Sequence, residues 1–158
     1  AVEGIVRPMR SKLDGGRGHY FFTPPANYPP YEDGLNATVI KSHRSLGDFP
    51  HEGFADLQFI RMIGNAPPLD IEPLNLTRFD PIVRAVHTYM VGRSLGYLIE
   101  VLVGKGRLLI CAFDLDQSRC EARYLLSCLT RYLLENDAED AQRLDEDEYE
   151  FLMRSVTN

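Results

Sequence analysis

At 158 residues, 44% of them hydrophobic and 25% charged, the chain is long enough to bury one core of ordinary size without disulfide or metal staples, so one domain is expected. The net charge of −6 is concentrated in residues 135–150, where nine acidic groups face Arg143 alone; no basic stripe remains elsewhere to displace counterions from phosphate, which excludes a nucleic-acid partner. No run of eighteen or more apolar residues occurs and residues 1–5 lack the basic-then-apolar layout of a signal peptide, so no membrane partner is expected, while the compartment of a larger, exported parent stays open.

Residues 8–34 hold the glycine cluster Gly15-Gly16-Arg17-Gly18 and the pairs Pro24-Pro25 and Pro29-Pro30, which oppose regular structure. The aromatic stretch 19–23 between them reads as one short strand entering an ordered, irregular lead-in. Residues 35–40 read as a strand, followed by a polar turn at 41–44. Phe54, Leu57, Phe59, Ile60 and Ile63 recur near helical spacing, which predicts a helix over 52–63, stopped by Gly64-Asn65-Ala66-Pro67-Pro68. Residues 82–88 are partly alternating and β-branched and are read as a strand.

Two apolar runs, 95–103 and 107–113, flank Gly104-Lys105-Gly106 and predict a β-hairpin, the second run apolar enough for a strand covered on both faces. Ala122, Leu125, Leu126, Leu129, Tyr132 and Leu133 then mark one apolar face of a helix over 118–134, with Ser118 and Glu121 as its capping box. A second, partly amphipathic helix is expected around 144–155 inside the acidic C-terminal segment 135–158. Cys120 and Cys128 share the first of these helices, about 12 Å apart along its axis, too far to bridge. Cys111 belongs to the hairpin and alone could pair with one of them; buried thiols are the expectation for all three.

Known catalytic patterns fail on particular residues. His51-Glu52-Gly53-Phe54-Ala55 begins like a zinc-protease helix but has Ala55 where the second imidazole is needed. Gly104-Lys105-Gly106 lacks the upstream glycine and the following Ser or Thr of a phosphate cradle. No G-x-S-x-G elbow is present. The histidines His19, His43, His51 and His87 are scattered, so no metal and no cofactor are expected. Glycoside cleavage needs two carboxyl groups about 5–10 Å apart, for which Glu52, Asp56, Asp114 and Asp116 are candidates. Asp114 and Asp116 lead that set because they follow an apolar strand, where α/β folds place ligands. Asn36-Ala37-Thr38 and Asn75-Leu76-Thr77 are glycosylation sequons, common by chance.

Three segments resemble, in order and approximate spacing, a C-terminal region of bacterial multidomain glycoside hydrolases, chiefly the β-galactosidase-like enzymes of family 2. They are Phe21-Phe22-Thr23-Pro24-Pro25 leading to Gly34-Leu35; His43-Arg44-Ser45-Leu46-Gly47-Asp48-Phe49-Pro50-His51-Glu52-Gly53 with Asp56-Leu57-Gln58-Phe59; and Arg93-Ser94-Leu95-Gly96 through Glu100 and Val103-Gly104-Lys105-Gly106-Arg107-Leu108-Leu109 to Asp114-Leu115 and Glu121-Ala122-Arg123. The likeness spans residues 20–133. It implies the later half of a glutamine-amidotransferase-like α/β module without its catalytic cysteine, with the parent's catalytic carboxylates in a separate barrel domain. The family pattern has tryptophans on either side of Gln58, where this chain has Leu57 and Phe59 and no tryptophan anywhere, which weakens a sugar-stacking platform and leaves Phe59 and the tyrosines of residues 20–31 to present aromatic faces.

The fold expected is therefore α/β: a single domain with a mixed, mainly parallel sheet of about five strands centred on the 96–113 hairpin, helices 52–63 and 118–134 packed on its faces. The function expected is that of a non-catalytic accessory module of a carbohydrate-active glycoside hydrolase. Its partners would be the other domains of the parent, carbohydrate held weakly near Asp114, Asp116, His51, Glu52, Asp56 and Phe59, or a second copy of the chain. Two alternatives stand beside it: a self-contained hydrolase using carboxylates among Glu52, Asp56, Asp114 and Asp116, and a protein-interaction domain acting through its acidic tail.

Overall fold

The computed structural model describes residues 5–6, 38–64, 66, 68–72, 76–85, 94–135 and 141–157. The irregular lead-in at 8–34, its strand at 19–23 and both sequons' asparagines lie outside the described residues. In chain order the elements are β1 (Ile5–Val6), β2 (Thr38–Ile40), a 3₁₀ turn (Arg44–Leu46), α1 (Leu57–Gly64), β3 (Leu69–Asp70), β4 (Val83–Ala85), β5 (Leu95–Val103), β6 (Gly106–Cys111), α2 (Cys120–Leu134) and α3 (Glu146–Thr157). The strands form one sheet in the order β1-β6-β5-β4-β2, with β3 also on β5.

The mainly parallel sheet expected from the sequence, and with it the parallel glutamine-amidotransferase-like arrangement, is overturned by these pairings. β5 runs antiparallel to β3, β4 and β6, and β2 runs antiparallel to β4. Among the described residues the parallel pairings are β1 with β6 and a single bridge from Leu102 to Arg143. Connection length is the physical reason for the central pair. Parallel neighbours need a crossover of a dozen or more residues, whereas β5 returns as β6 across two, Gly104-Lys105. Gly104 sits at φ +55°, which a glycine adopts without steric cost.

The long apolar runs of the hairpin report centrality rather than strand direction. β5 is buried from Leu95 through Val101 and is paired along both edges. On one edge lie β6, against 98–103, and β3, against 95–96. On the other lies β4, extended by Ile82 N–H donating to the Leu98 carbonyl at 2.8 Å. Further along that edge Leu102 N–H donates to Gln142 O and Leu144 N–H donates to Leu102 O, both at 2.8 Å. Both edges of β5 are thus engaged by backbone partners, as a buried strand requires.

Helix α1 begins at Leu57, five residues later than expected, because the chain before it belongs to β2's outer edge. Ile40 N–H donates to Gly53 O at 2.8 Å and Ala55 N–H to the Thr38 hydroxyl at 2.6 Å. Gly53, at φ +88°, turns the chain there in a conformation closed to other residues without strain. Phe59, Met62 and Ile63 enter the core, while Phe54, Leu57 and Ile60 face outward, so the predicted apolar set is divided between two sides. The Ser118–Glu121 capping box does not form. Asp116 instead accepts from Ser118 N–H at 3.0 Å and from its hydroxyl at 2.8 Å, and α2 starts two residues later. A reciprocal box does close α3, where Asp145 N–H donates to Glu148 and Glu148 N–H to Asp145, both at 2.8 Å.

The buried face of α2 is the one the periodicity marks: Ala122, Leu125, Leu129 and Tyr132, joined by Cys128. A chain of rings ties sheet to helices: Tyr97 stacks on Phe113 at 5.1 Å between centroids, Phe113 meets Phe59 at 5.7 Å, Phe59 meets Phe49 at 5.2 Å and Phe49 meets Tyr124 of α2 at 5.9 Å. Tyr97, Phe113, Phe59 and Phe49, each withdrawn from water in this way, contribute on the order of 1.5–3 kcal/mol apiece, while Tyr124 stays partly in solvent. The three cysteines are free thiols, Cys111 and Cys128 buried as expected and Cys120 exposed on the first turn of α2.

Candidate functional site

One acidic residue interrupts the apolar run of β5. Glu100 is opposite Leu109, and Arg107 is opposite Leu102, so the two charged side chains are diagonal neighbours on one face of the hairpin. Only 4% of the Glu100 side chain and 6% of the Arg107 side chain reach solvent. An isolated carboxylate there would be strongly disfavoured, and its partners come from three other elements. Tyr132, in the last turn of α2, directs its hydroxyl at both carboxylate oxygens, 2.9 Å from Oε1 and 2.8 Å from Oε2. Arg107 Nη1 lies 3.8 Å from Oε1. His43, capping the 3₁₀ turn, places Nε2 3.4 Å from Oε2.

The hydrogen bonds around His43 define its neutral tautomer. Ser45 N–H donates to Nδ1 at 3.2 Å and the Ser45 hydroxyl lies 2.9 Å from the same nitrogen. With Nδ1 accepting, the ring proton resides on Nε2, directed at Glu100. The imidazole also meets the Tyr132 ring edge-on at 5.4 Å, and the Arg107 guanidinium covers that ring at 4.4 Å. Arg107 Nη2 donates to the carbonyls of Tyr132 at 2.6 Å, Leu133 at 3.2 Å and Glu135. A cation thus closes the negative end of α2. Burial pushes the Tyr132 phenol up to about 12, reinforced by its bond to the Glu100 carboxylate and that group's charge and opposed by Arg107.

Ser45, His43 and Glu100 stand in hydroxyl–imidazole–carboxylate order, which resembles a nucleophilic triad only in sequence of groups. Ser45 is fully buried, so no substrate carbonyl can approach its Oγ, and the Glu100 oxygens are occupied by Tyr132. What the arrangement does is fix the 3₁₀ turn, the hairpin and the end of α2 to one another. The signal for it was a lone carboxylate in the middle of a nine-residue apolar run, which demands buried partners even when the sequence does not name them.

The residues singled out from the sequence lie elsewhere. Asp114 and Asp116 do sit together beyond β6, but one guanidinium serves both: Arg119 Nη1 is 3.4 Å from Asp114 and its Nε 3.5 Å from Asp116. The same Arg119 donates to the Arg61 carbonyl at 3.0 Å and ties this corner to α1. His51 Nδ1 accepts from Gly53 N–H at 3.2 Å, Asp56 accepts from Leu57 N–H at 2.6 Å, and Glu52 is exposed. Gln58 donates to the Pro50 carbonyl at 2.6 Å. Phe59 is fully buried between Phe49 and Phe113 and presents no face to a sugar. Among the described residues no three His, Cys, Asp or Glu side chains are placed to hold a metal ion, and no helix is long and apolar enough to cross a membrane.

A family model described as a domain of unknown function, DUF8487, matches residues 20–154. The chain belongs to this family. No curated protein matches it. The span shared with the DUF8487 family contains every residue of the Glu100 cluster and the whole of α1 and α2.

Proposed function

We propose that this chain is a non-catalytic accessory module of a carbohydrate-active glycoside hydrolase, which supports the parent's catalytic domain or its assembly and does not turn over sugar itself. The observation that carries this reading is the convergence of His43, Glu100 and Arg107 on one buried centre. These residues come from two separate segments of the likeness to family 2 enzymes, so the resemblance falls on groups that act together in holding a domain in shape. Asp114, Asp116 and Asp56 add to the support by serving turns, a helix start and an arginine within the fold.

Incubating the purified chain with chromogenic β-galactosides tests the proposal. No turnover above buffer is expected. Turnover that Asp114→Asn or Glu52→Gln abolishes overturns it in favour of a self-contained hydrolase.

A further inference from the structure

Four large apolar side chains lie on the outer side of the β2–α1 corner. Gly53 and Ala55 bond to Ile40 and Thr38 on either side of Val39, so Phe54 is held opposite Val39 at the sheet edge. Leu57 and Ile60 follow one helical turn apart on α1, where residues three apart are surface neighbours. Leu57 is 77% exposed, more than any other large apolar side chain among the described residues, and Phe54 is 49% exposed. A single exposed leucine needs no explanation; a contiguous strip of this kind marks a place where another surface belongs.

The charges beside the strip restrict what that surface can be. Asp48, Glu52 and Asp56 are exposed along the same stretch. The cations beside Val39 are engaged by acids: Lys41 and Arg84, the cross-strand partner of Val39, both meet Asp80, and Arg44 lies 3.5 Å from Glu135. A second copy docked strip to strip would bring two acidic rims together, and an anionic lipid surface would be repelled. We infer that the Val39–Phe54–Leu57–Ile60 strip docks a protein surface that is apolar at its centre and carries Lys or Arg at its rim, belonging to a neighbouring domain of the parent. This rests on the accessory-module reading for the partner's identity and deepens it by naming the face and the chemistry it takes.

The chain contains no tryptophan, so a tryptophan placed on a peptide reports binding without background. The probes are two amphipathic helical peptides with one leucine face and one tryptophan each, the polar face lysine in one and glutamate in the other. The full chain is expected to bind the lysine peptide at least tenfold more tightly. Phe54→Ser with Leu57→Ser, which leaves the net charge unchanged, should weaken that binding tenfold or more. Asp48→Lys with Glu52→Lys should erase the preference between peptides. Equal binding of both peptides, or undiminished binding by the serine variant, overturns the inference. So does self-association, or binding to phosphatidylserine vesicles, that Leu57→Ser removes. Turnover of β-galactosides by the chain would overturn the accessory-module reading and leave the peptide result standing, so the two failures are separable.

Discussion

Glu100 lies midway along β5, and Asp114 and Asp116 lie just past the end of β6, so one hairpin carries a carboxylate inside and two at its rim. The rim pair is satisfied within five residues, by Ser118 and Arg119. The inner one draws on His43, Arg107 and Tyr132, spread over the 3₁₀ turn, β6 and the far end of α2. Solvent access decides the difference. A carboxylate that can turn to water asks little of the fold, whereas a dry one must be met by groups that the tertiary structure brings from a distance.

Substitutions should separate the two regions by size of effect. Arg107→Met leaves Glu100 buried without this cation and takes the guanidinium away from the helix-end carbonyls, and should cost about 3–5 kcal/mol in urea unfolding. Glu100→Leu combined with Arg107→Met should recover much of that loss, since matched apolar replacements remove the uncompensated charge. A double variant no better than Arg107→Met alone would show that the carbonyl bonds, and not the ion pair, dominate.

Tyr132→Phe withdraws the hydroxyl from both Glu100 oxygens and should cost about 1–3 kcal/mol. The same phenol gives a pH signature. Its folded pKa is raised from the ordinary 10.0 to about 12, so its contribution to stability is whole below pH 10 and disappears as the pH climbs through about 12. Absorbance near 295 nm should reveal one tyrosine, lost in Tyr132→Phe, ionising late, and Glu100→Gln should bring it earlier because the carboxylate is part of what holds the proton. A midpoint near 10 would break the picture of a dry centre.

At the rim the effects should be smaller. Asp116→Ala gives up two short-range bonds at the entrance to α2 and should cost about 1 kcal/mol. Asp114→Asn, opposite a partly exposed guanidinium, should stay within about 1 kcal/mol. A loss at Asp114 as large as at Arg107 would erase the distinction between the two regions.

The hairpin, α2 and α3 were legible in the sequence because apolar spacing and a glycine-bounded turn are local facts. Strand direction was not. A continuous apolar run is produced by any central strand, and which segments pair with β5 is not a local fact: Leu102 bonds to Gln142 and Leu144, far along the chain, and β3 reaches it from Leu69 and Asp70. The spacing of Phe54, Leu57 and Ile60 was readable too, but periodicity reports a face without saying whether the core or the outside lies against it. Phe59, one position from Ile60, went inward. Glu100 stands out in the sequence as a lone carboxylate in an apolar run, but the identity of its partners, Tyr132 and His43, exists only once the fold brings them beside it.

The bridge between Leu102 and Arg143, with Leu144 and Leu152 in the core, gives the acidic C-terminal segment a protective duty. Cutting the chain after residue 135 would strip one rim of the longest strand and leave its amide and carbonyl groups open to a second molecule's strand. Such a truncation should lower soluble yield and promote β-rich aggregates, with the negative charge of the missing stretch no longer there to keep molecules apart.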